Sequence, residues 1–249
     1  MDNANVGKYI VFDVSRPILA AHFFSGKMGA PLFVTLNNHL KRRIKMNTNE
    51  STVSTGATYT TQMDAARKGI ITPEMKIVAK KEKMTEEALR ELIACGKVVI
   101  PANKNHKSLD PEGVGSMLRT KINVNLGVSR DCKDYDIEMK KVMAAVDLGA
   151  ESIMDLSSHG NTQPFRQKLT AECPAMIGTV PVYDSVIHYQ RDLNTLTAKD
   201  FLDVVELHAK DGVDFVTLHC GITRKTIDQI KKHKRKTNIV SRGGSLVFA

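Results

Sequence analysis

The sequence contains no tryptophan, and aromatic residues fill only 5% of its 249 positions. Hydrophobic residues nevertheless reach 42%, enough for one sizeable core, which Ile, Val, Leu, Met and Ala must fill. Cysteine is scarce as well. Cys95, Cys132, Cys173 and Cys220 are far apart and form no C-x-x-C pair, which excludes a zinc ribbon or a cysteine-motif cluster site built from them. No metal ligands are therefore expected within this chain, and the thiols are expected to be free in a reducing cytosol. No G-x-G-x-x-G follows any strand-like run, so the dinucleotide fingerprint of an open doubly wound sheet is missing. No apolar run approaches the roughly 20 residues of a membrane span. The early apolar stretch from Tyr9 to Phe24 is broken by Asp13, Ser15, Arg16 and Pro17, unlike a secretory signal. A cytoplasmic protein without membrane contact is the expectation.

What the chain does have is positive charge and a repeated architecture. A formal net charge of +9 points to anionic partners: nucleic acid, a membrane surface or phosphorylated metabolites. A nucleic-acid binder would need aromatic stacking platforms or a recognised motif, and neither is evident. Residues 1–57 read as an atypical N-terminal extension, partly disordered. They hold the Tyr9–Phe24 run, a basic patch at Lys41–Lys45 and a Ser/Thr/Asn-rich stretch from Asn47 to Thr61, and ordered structure is expected to begin near Tyr59. Residues 58–249 read as the ordered α/β part of the chain. Gln62 to Ala79 reads as helix broken around Gly69–Pro73, with Thr72 as N-cap and Pro73 at the first helical position. Thr85–Ala94 is an amphipathic helix stopped by Gly96, and Lys97–Ala102 a short strand.

From Lys121 onward, five β-rich runs each turn polar or glycine-rich at their ends: Lys121–Gly127, Ser152–Ser157, Ile177–Tyr183, Phe215–Gly221 and Asn238–Gly244. Helical stretches near 135–148, 162–172, 197–211 and 223–234 separate them, a spacing of roughly 30 residues per βα unit. The helix near 197–211 carries Phe201, Val204, Val205 and His208 as a core-facing stripe. The fold class is α/β. An open sheet and a barrel both fit, and polar groups at every strand end favour an incomplete (β/α)8 TIM-type barrel of five to six βα units, the sixth resting on Val98–Pro101. In such a barrel the C-terminal strand ends form the active face. That places Asn125, Met154, Tyr183, His219 and the Ser241-Arg242-Gly243 turn around one mouth.

Each of these residue types suits a small anionic ligand. A neutral His219 can donate or accept. The glycines near Arg242 let backbone N–H groups approach an anion while the guanidinium supplies a fixed fork. Tyr183 can offer its hydroxyl, and Asn123 and Asn125 share one face. Met154 and Asp155 point to opposite faces, as do His219 and Cys220, which argues against a Cys/His dyad. The residues alone give no reaction.

Several of these stretches resemble one known family. Ala66–Met75, Val99–Asn103, Lys121–Gly127, Ile153–Ser157, Ile177–Tyr183, Val213–His219 and Ile239–Ser245 stand in the order and spacing of phosphomethylpyrimidine synthase, the thiamine-biosynthesis lyase, over Tyr59–Ala249. The resemblance implies a radical S-adenosylmethionine enzyme on a (β/α)8 barrel. Such an enzyme is a carbon–carbon lyase converting 5-aminoimidazole ribotide to 4-amino-2-methyl-5-(phosphooxymethyl)pyrimidine. It further implies a [4Fe–4S] cluster, S-adenosyl-L-methionine, a divalent metal such as zinc, an external electron donor and a homodimer. Asn125, Met154, Tyr183, His219, Ser241, Arg242 and Gly243 match the family's substrate contacts. The family's acidic and aromatic substrate residues, its metal-binding histidines and its C-x-x-C-x-x-x-x-C motif do not match anything here. The resemblance therefore implies a C-terminally truncated copy, inactive alone, with residues 58–249 as the N-terminal part of the barrel catalytic domain. A benzimidazole-forming paralogue using the same ribotide and an inactive fragment are the alternatives.

Overall fold

A computed structural model describes residues 10–13, 20–23, 51–52, 58–233, 237 and 239–248. Strands β1 (Ile10–Asp13) and β2 (Ala20–Phe23) pair antiparallel, as do β3 (Ser51–Thr52) and β4 (Thr58–Tyr59). The Lys41–Lys45 patch lies outside the described residues, and most of the expected disorder before residue 58 falls there too.

A helical layer follows: α1 (Gln62–Arg67), α2 (Pro73–Lys81) and α3 (Glu86–Ala94). Each starts at a threonine whose side chain accepts a backbone N–H: Thr61 from Asp64, Thr72 from Met75 and Thr85 from Ala88. Pro73 sits at the first helical position, where its missing N–H costs nothing. Ala65, Ala66, Met75, Val78, Leu89 and Ile93 close over Val98 and Ile100 as one core. The Thr72 hydroxyl is fully buried and also donates to Gln62 Oε1 at 2.7 Å. Thr72→Ala removes a cap and strands the Gln62 acceptor, so about 1–2 kcal/mol of stability should be lost in a urea titration.

Strand β5 (Val98–Val99) pairs antiparallel with β6 (Val114–Gly115). The sixth strand expected at Val98–Pro101 is thus not a member of the main sheet among the described residues. That sheet is parallel, in the order β7 (Asn123–Leu126), β8 (Ser152–Asp155), β9 (Met176–Thr179), β10 (Phe215–Val216). Helices α4 (Tyr135–Asp147) and α5 (Gln163–Glu172) connect the first three strands. Helices α6 (Pro181–Tyr189) and α7 (Ala198–Lys210) lie between β9 and β10, and α8 (Arg224–Lys232) and α9 (Arg242–Phe248) follow. The architecture is mixed α/β around a parallel sheet, and no further strand is hydrogen-bonded to β7 or β10 among the described residues.

Three strand expectations are corrected. The run at Ile177–Tyr183 ends at Thr179, because Pro181 cannot donate to a sheet ladder and instead opens α6. The run at Asn238–Gly244 forms no strand among its described residues; Ser241 precedes α9, and Arg242 and Gly243 are its first residues. The strand expected at Phe215–Gly221 shortens to β10, leaving His219 and Cys220 in the loop beyond it.

The period-two alternation of the strands divides the sheet's faces. Val124, Leu126, Ile153 and Ile177 pack against Met139 and Val142 of α4 and Phe165 and Leu169 of α5. On the other face, register aligns Asn125, Met154, Gly178 and Phe215 in one row. The N-terminal strand ends are fastened to the helical layer by charge. Glu82, after α2, pairs with Lys121 and accepts the Arg119 N–H at 2.9 Å, while Arg119 also bonds Glu151 ahead of β8. These contacts tie down one end of the sheet and leave the C-terminal ends for other work.

Candidate functional site

Asn125 stands exposed on the face of β7 opposite Val124 and Leu126, its Oδ1 accepting from Asn123 Nδ2 at 2.9 Å. Asn123 Oδ1 accepts in turn from Ser152 Oγ at 2.8 Å. This confirms the shared face expected for the two asparagines. Met154 is the next member of the row, half-buried, and Asp155 turns to the opposite, buried side as expected. Burial pushes the Asp155 carboxyl up, although the backbone N–H of Ser157 bonds it at 2.9 Å. The row continues at Gly178, where an added Cβ would lie 2.3 Å from the Phe215 ring. Only a glycine lets that ring lie across the sheet.

Beyond the strands, two contacts converge. Tyr183 occupies the first turn of α6, not a strand end, and the Arg242 guanidinium sits over its ring, 5.1 Å from the centroid. That is cation–π distance. His219 lies in the loop after β10, and its Nε2 is 3.3 Å from Ser241 Oγ. Ser241 Oγ also accepts the Gly244 N–H at 3.2 Å. The imidazole lies close against Gly243, where an added Cβ would sit 2.0 Å from the ring Cε1. His219 Nδ1 is buried with no hydrogen-bond partner among the described residues. Burial lowers the His219 pKa, which favours a neutral ring. The expectation that His219 and Cys220 alternate along a strand is corrected by their loop position.

The residues nominated from sequence thus assemble in three groups: Asn125 with Met154, Tyr183 with Arg242, and His219 with Ser241 and Gly243. The charge at the second and the unpaired ring nitrogen at the third suit an anionic, hydrogen-bonding ligand.

Sequence reasoning missed a buried polar network directly behind Tyr183. Asp184 accepts from Thr162 Oγ1 at 2.5 Å, His208 Nε2 at 2.9 Å and Arg166 Nη1 at 3.2 Å. His208 Nδ1 meets Thr179 Oγ1 at 2.8 Å, and Arg166 reaches Asp211 through Nε and Nη2 at 3.0 and 2.9 Å. Burial pushes the Asp184 carboxyl up, but the His208 and Thr162 hydrogen bonds and the cationic surroundings outweigh it and hold it at about 2. Burial dominates at His208 and lowers its pKa, leaving the imidazole neutral. The only available signal was His208 itself, a titratable residue within an apolar helix stripe. Of the expected stripe, Val204, Val205 and His208 are buried and Phe201 is half-buried.

At the opposite end of the sheet, fully buried Asp214 accepts from His106 Nδ1 at 2.7 Å and from the backbone of Asn103 and Ile177. Among the described residues no group of three His, Cys, Asp or Glu side chains is placed to hold a metal ion. No described helix is long and apolar enough to cross a membrane.

Comparison with known proteins places the chain among its relatives. A protein described as phosphomethylpyrimidine synthase from Alkaliphilus oremlandii is 65% identical over 191 residues, covering 77% of this chain and 44% of its own. Proteins of the same description from Clostridioides difficile and Clostridium kluyveri are 62% and 60% identical, each over 191 residues and with the same coverage. The chain therefore spans less than half the length of these curated relatives. The family model described as the radical SAM ThiC family matches residues 61–249, a stretch that contains every nominated site residue, and the chain belongs to that family.

Proposed function

We propose that this chain supplies the ribotide-gripping part of a phosphomethylpyrimidine synthase, which converts 5-aminoimidazole ribotide to 4-amino-2-methyl-5-(phosphooxymethyl)pyrimidine in thiamine biosynthesis. The observation that carries the reading is the convergence of His219, with its unpaired buried Nδ1, on Ser241 and Gly243 beside the Tyr183–Arg242 pair. A ribotide brings a phosphate for Arg242 and the Ser241–Gly243 backbone, and ring and hydroxyl groups for Asn125 and His219. In this reading the parallel sheet is the first part of a (β/α)8 barrel. The face that carries Asn125 and Met154 becomes the interior. The working protein is a cytoplasmic homodimer served by an external electron donor.

Family membership implies an iron–sulfur cluster and S-adenosyl-L-methionine, and the reading adds a divalent metal such as zinc. When bound, the cluster and S-adenosyl-L-methionine supply a radical that starts the rearrangement. The described residues do not fit that cluster. Its thiolates must converge on one site, whereas Cys173 is buried behind α5 and Cys95, Cys132 and Cys220 lie after α3, before α4 and beyond β10. The role derived for this chain is accordingly to bind and orient the ribotide.

Calorimetric titration with the ribotide tests the reading. His219→Ala should weaken binding about 2- to 10-fold, the equivalent of losing a hydrogen bond between neutral groups. Gly243→Ala should do the same by displacing the imidazole. Unchanged affinity in both variants removes this cluster from the binding site.

A further inference from the structure

Helix α6 carries Tyr183 in its first turn, yet it starts without a local fastening. Its N-cap is Val180, which offers no side-chain acceptor, and Pro181 has no N–H. A ligand contact must be held to within roughly 0.5 Å by groups whose own positions are locked. The residue that follows Tyr183 meets that need. Asp184 is 6% exposed and is bonded from two other helices and from the residue that opens α5: His208 of α7, Arg166 of α5 and Thr162. His208 in turn reaches Thr179, the last residue of β9.

The donors are settled by the acceptor at one end. Asp184 takes the His208 Nε2–H, so Nδ1 keeps its lone pair and accepts from the Thr179 hydroxyl. One imidazole therefore bridges the end of the strand and the first turn of the helix that follows it. We propose that His208 and Asp184 are positioning residues for Tyr183, closing a bracket that sets the direction of α6 at the mouth. The proposal rests on the reading of Tyr183 as a ribotide contact.

Stability alone is a poor reason for such a bracket. A buried polar network roughly breaks even against apolar side chains of the same shape. Apolar packing, however, is non-directional, whereas three hydrogen bonds to one carboxylate fix its position and orientation. The bracket also lies at the C-terminal end of β9, the end that carries Tyr183. The other buried His–Asp pair, His106 with Asp214, lies at the far end of the sheet, and Asp214 immediately precedes β10.

The test combines two readouts on the full chain. Ring resonances of its five tyrosines are followed by NMR, with Tyr183 assigned by its disappearance in Tyr183→Phe. Ribotide affinity is measured alongside. His208→Leu should move the Tyr183 resonance and weaken ribotide binding about tenfold, within the coupling expected for side chains of one hydrogen-bond network. His208→Gln, whose amide can reach the Nε2 position, should restore most of both. In a Tyr183→Ala background, His208→Leu should cost nothing further in affinity. A folded His208→Leu protein with an unmoved Tyr183 resonance overturns the proposal, as do losses from the two substitutions that simply multiply. If Tyr183→Ala alone leaves affinity unchanged, the ribotide reading of Tyr183 falls, and the resonance still decides the positioning. Should His208→Leu fail to fold, Thr179→Val opens the bracket at its other end and is judged by the same shift.

Discussion

Asp214→Ala is expected to cost about 3–5 kcal/mol of unfolding free energy, the range for breaking a buried ion pair from one side. The Asp214 carboxylate is fully buried and accepts the Asn103 N–H at 2.8 Å, the Ile177 N–H at 2.7 Å and His106 Nδ1 at 2.7 Å. His106 Nε2 donates to the Cys173 carbonyl at 2.7 Å. Truncation leaves two backbone donors and an imidazole unsatisfied where the loop after β5 meets β9 and β10. A urea titration reads the loss directly, and a cost below about 1 kcal/mol, an ordinary single hydrogen bond, would contradict the argument.

The same variant carries a pH signature. Burial pulls the His106 pKa down, but Asp214 and the Cys173 carbonyl outweigh it and set it above the ordinary 6.5. Its folded value is raised, so its stabilisation is complete below about 6.5 and is lost as pH rises through the folded value. His208 is shifted the other way by burial, so the unfolded state takes up the proton first and stability falls as pH drops below 6.5. These two histidines therefore contribute a decline on each side of about pH 6.5; burial also raises the Asp214 carboxyl itself, and Asp214→Ala should remove the alkaline part set by His106 while keeping the acidic part set by His208.

The helical layer was legible because its signals are local. Thr72 before Pro73, and Thr85 before two glutamates, specify helix starts through groups a few residues apart, and all fall where expected. The parallel sheet was legible through β-rich runs spaced one βα unit apart. The errors came where chemistry at a run's end outweighed its β-propensity. Val182 and Tyr183 extend an apolar run, but Pro181 between them and β9 has no N–H for a ladder and a φ suited to a helix start. Ile239 and Val240 resemble a strand, yet Val240 is 86% exposed and no described partner strand covers it. A strand exists only with a neighbour, and a neighbour is not written in the local sequence.

The site divides along the same line. Tyr183, His219 and Arg242 were nominated for what their side chains can do, and two of the contacts they form, Arg242 over Tyr183 and His219 against Gly243, required the fold to be seen. The supporting network was illegible because its members come from distant places: Thr162, Arg166, Thr179, Asp184 and Asp211 each look like an ordinary polar residue, and only His208, inside an apolar stripe, stood out. Nothing in a carboxylate's own neighbourhood announces that an arginine 18 residues earlier will be buried against it.

That arginine is the second place where a single change should be costly. Arg166 is 1% exposed, with its Nη1 on Asp184 and Thr162 and its Nε and Nη2 on Asp211. Arg166→Met preserves much of the length and removes the charge, leaving two carboxylates in the interior without their shared cation. The expected cost is about 3–5 kcal/mol, and most of it reflects the stranded carboxylates. Two further measurements separate this cause from lost packing. Arg166→Met combined with Asp211→Asn should be more stable than the sum of the single losses, because one of the stranded charges is gone. Acid unfolding should also move. Asp184 is held at about 2 against an ordinary 3.8, so in the intact protein its stabilisation is present above about 4 and lost as pH falls toward 2. Without the guanidinium the folded value rises, and that loss should begin at higher pH. Arg166→Lys should recover only part of the stability, since one ammonium on a flexible stem cannot reproduce the planar fork that reaches Asp184 and Asp211 together. If Met and Lys at this position prove equally harmful and the acid limb stays where it was, the guanidinium is filling space and its charge is not what the two carboxylates require.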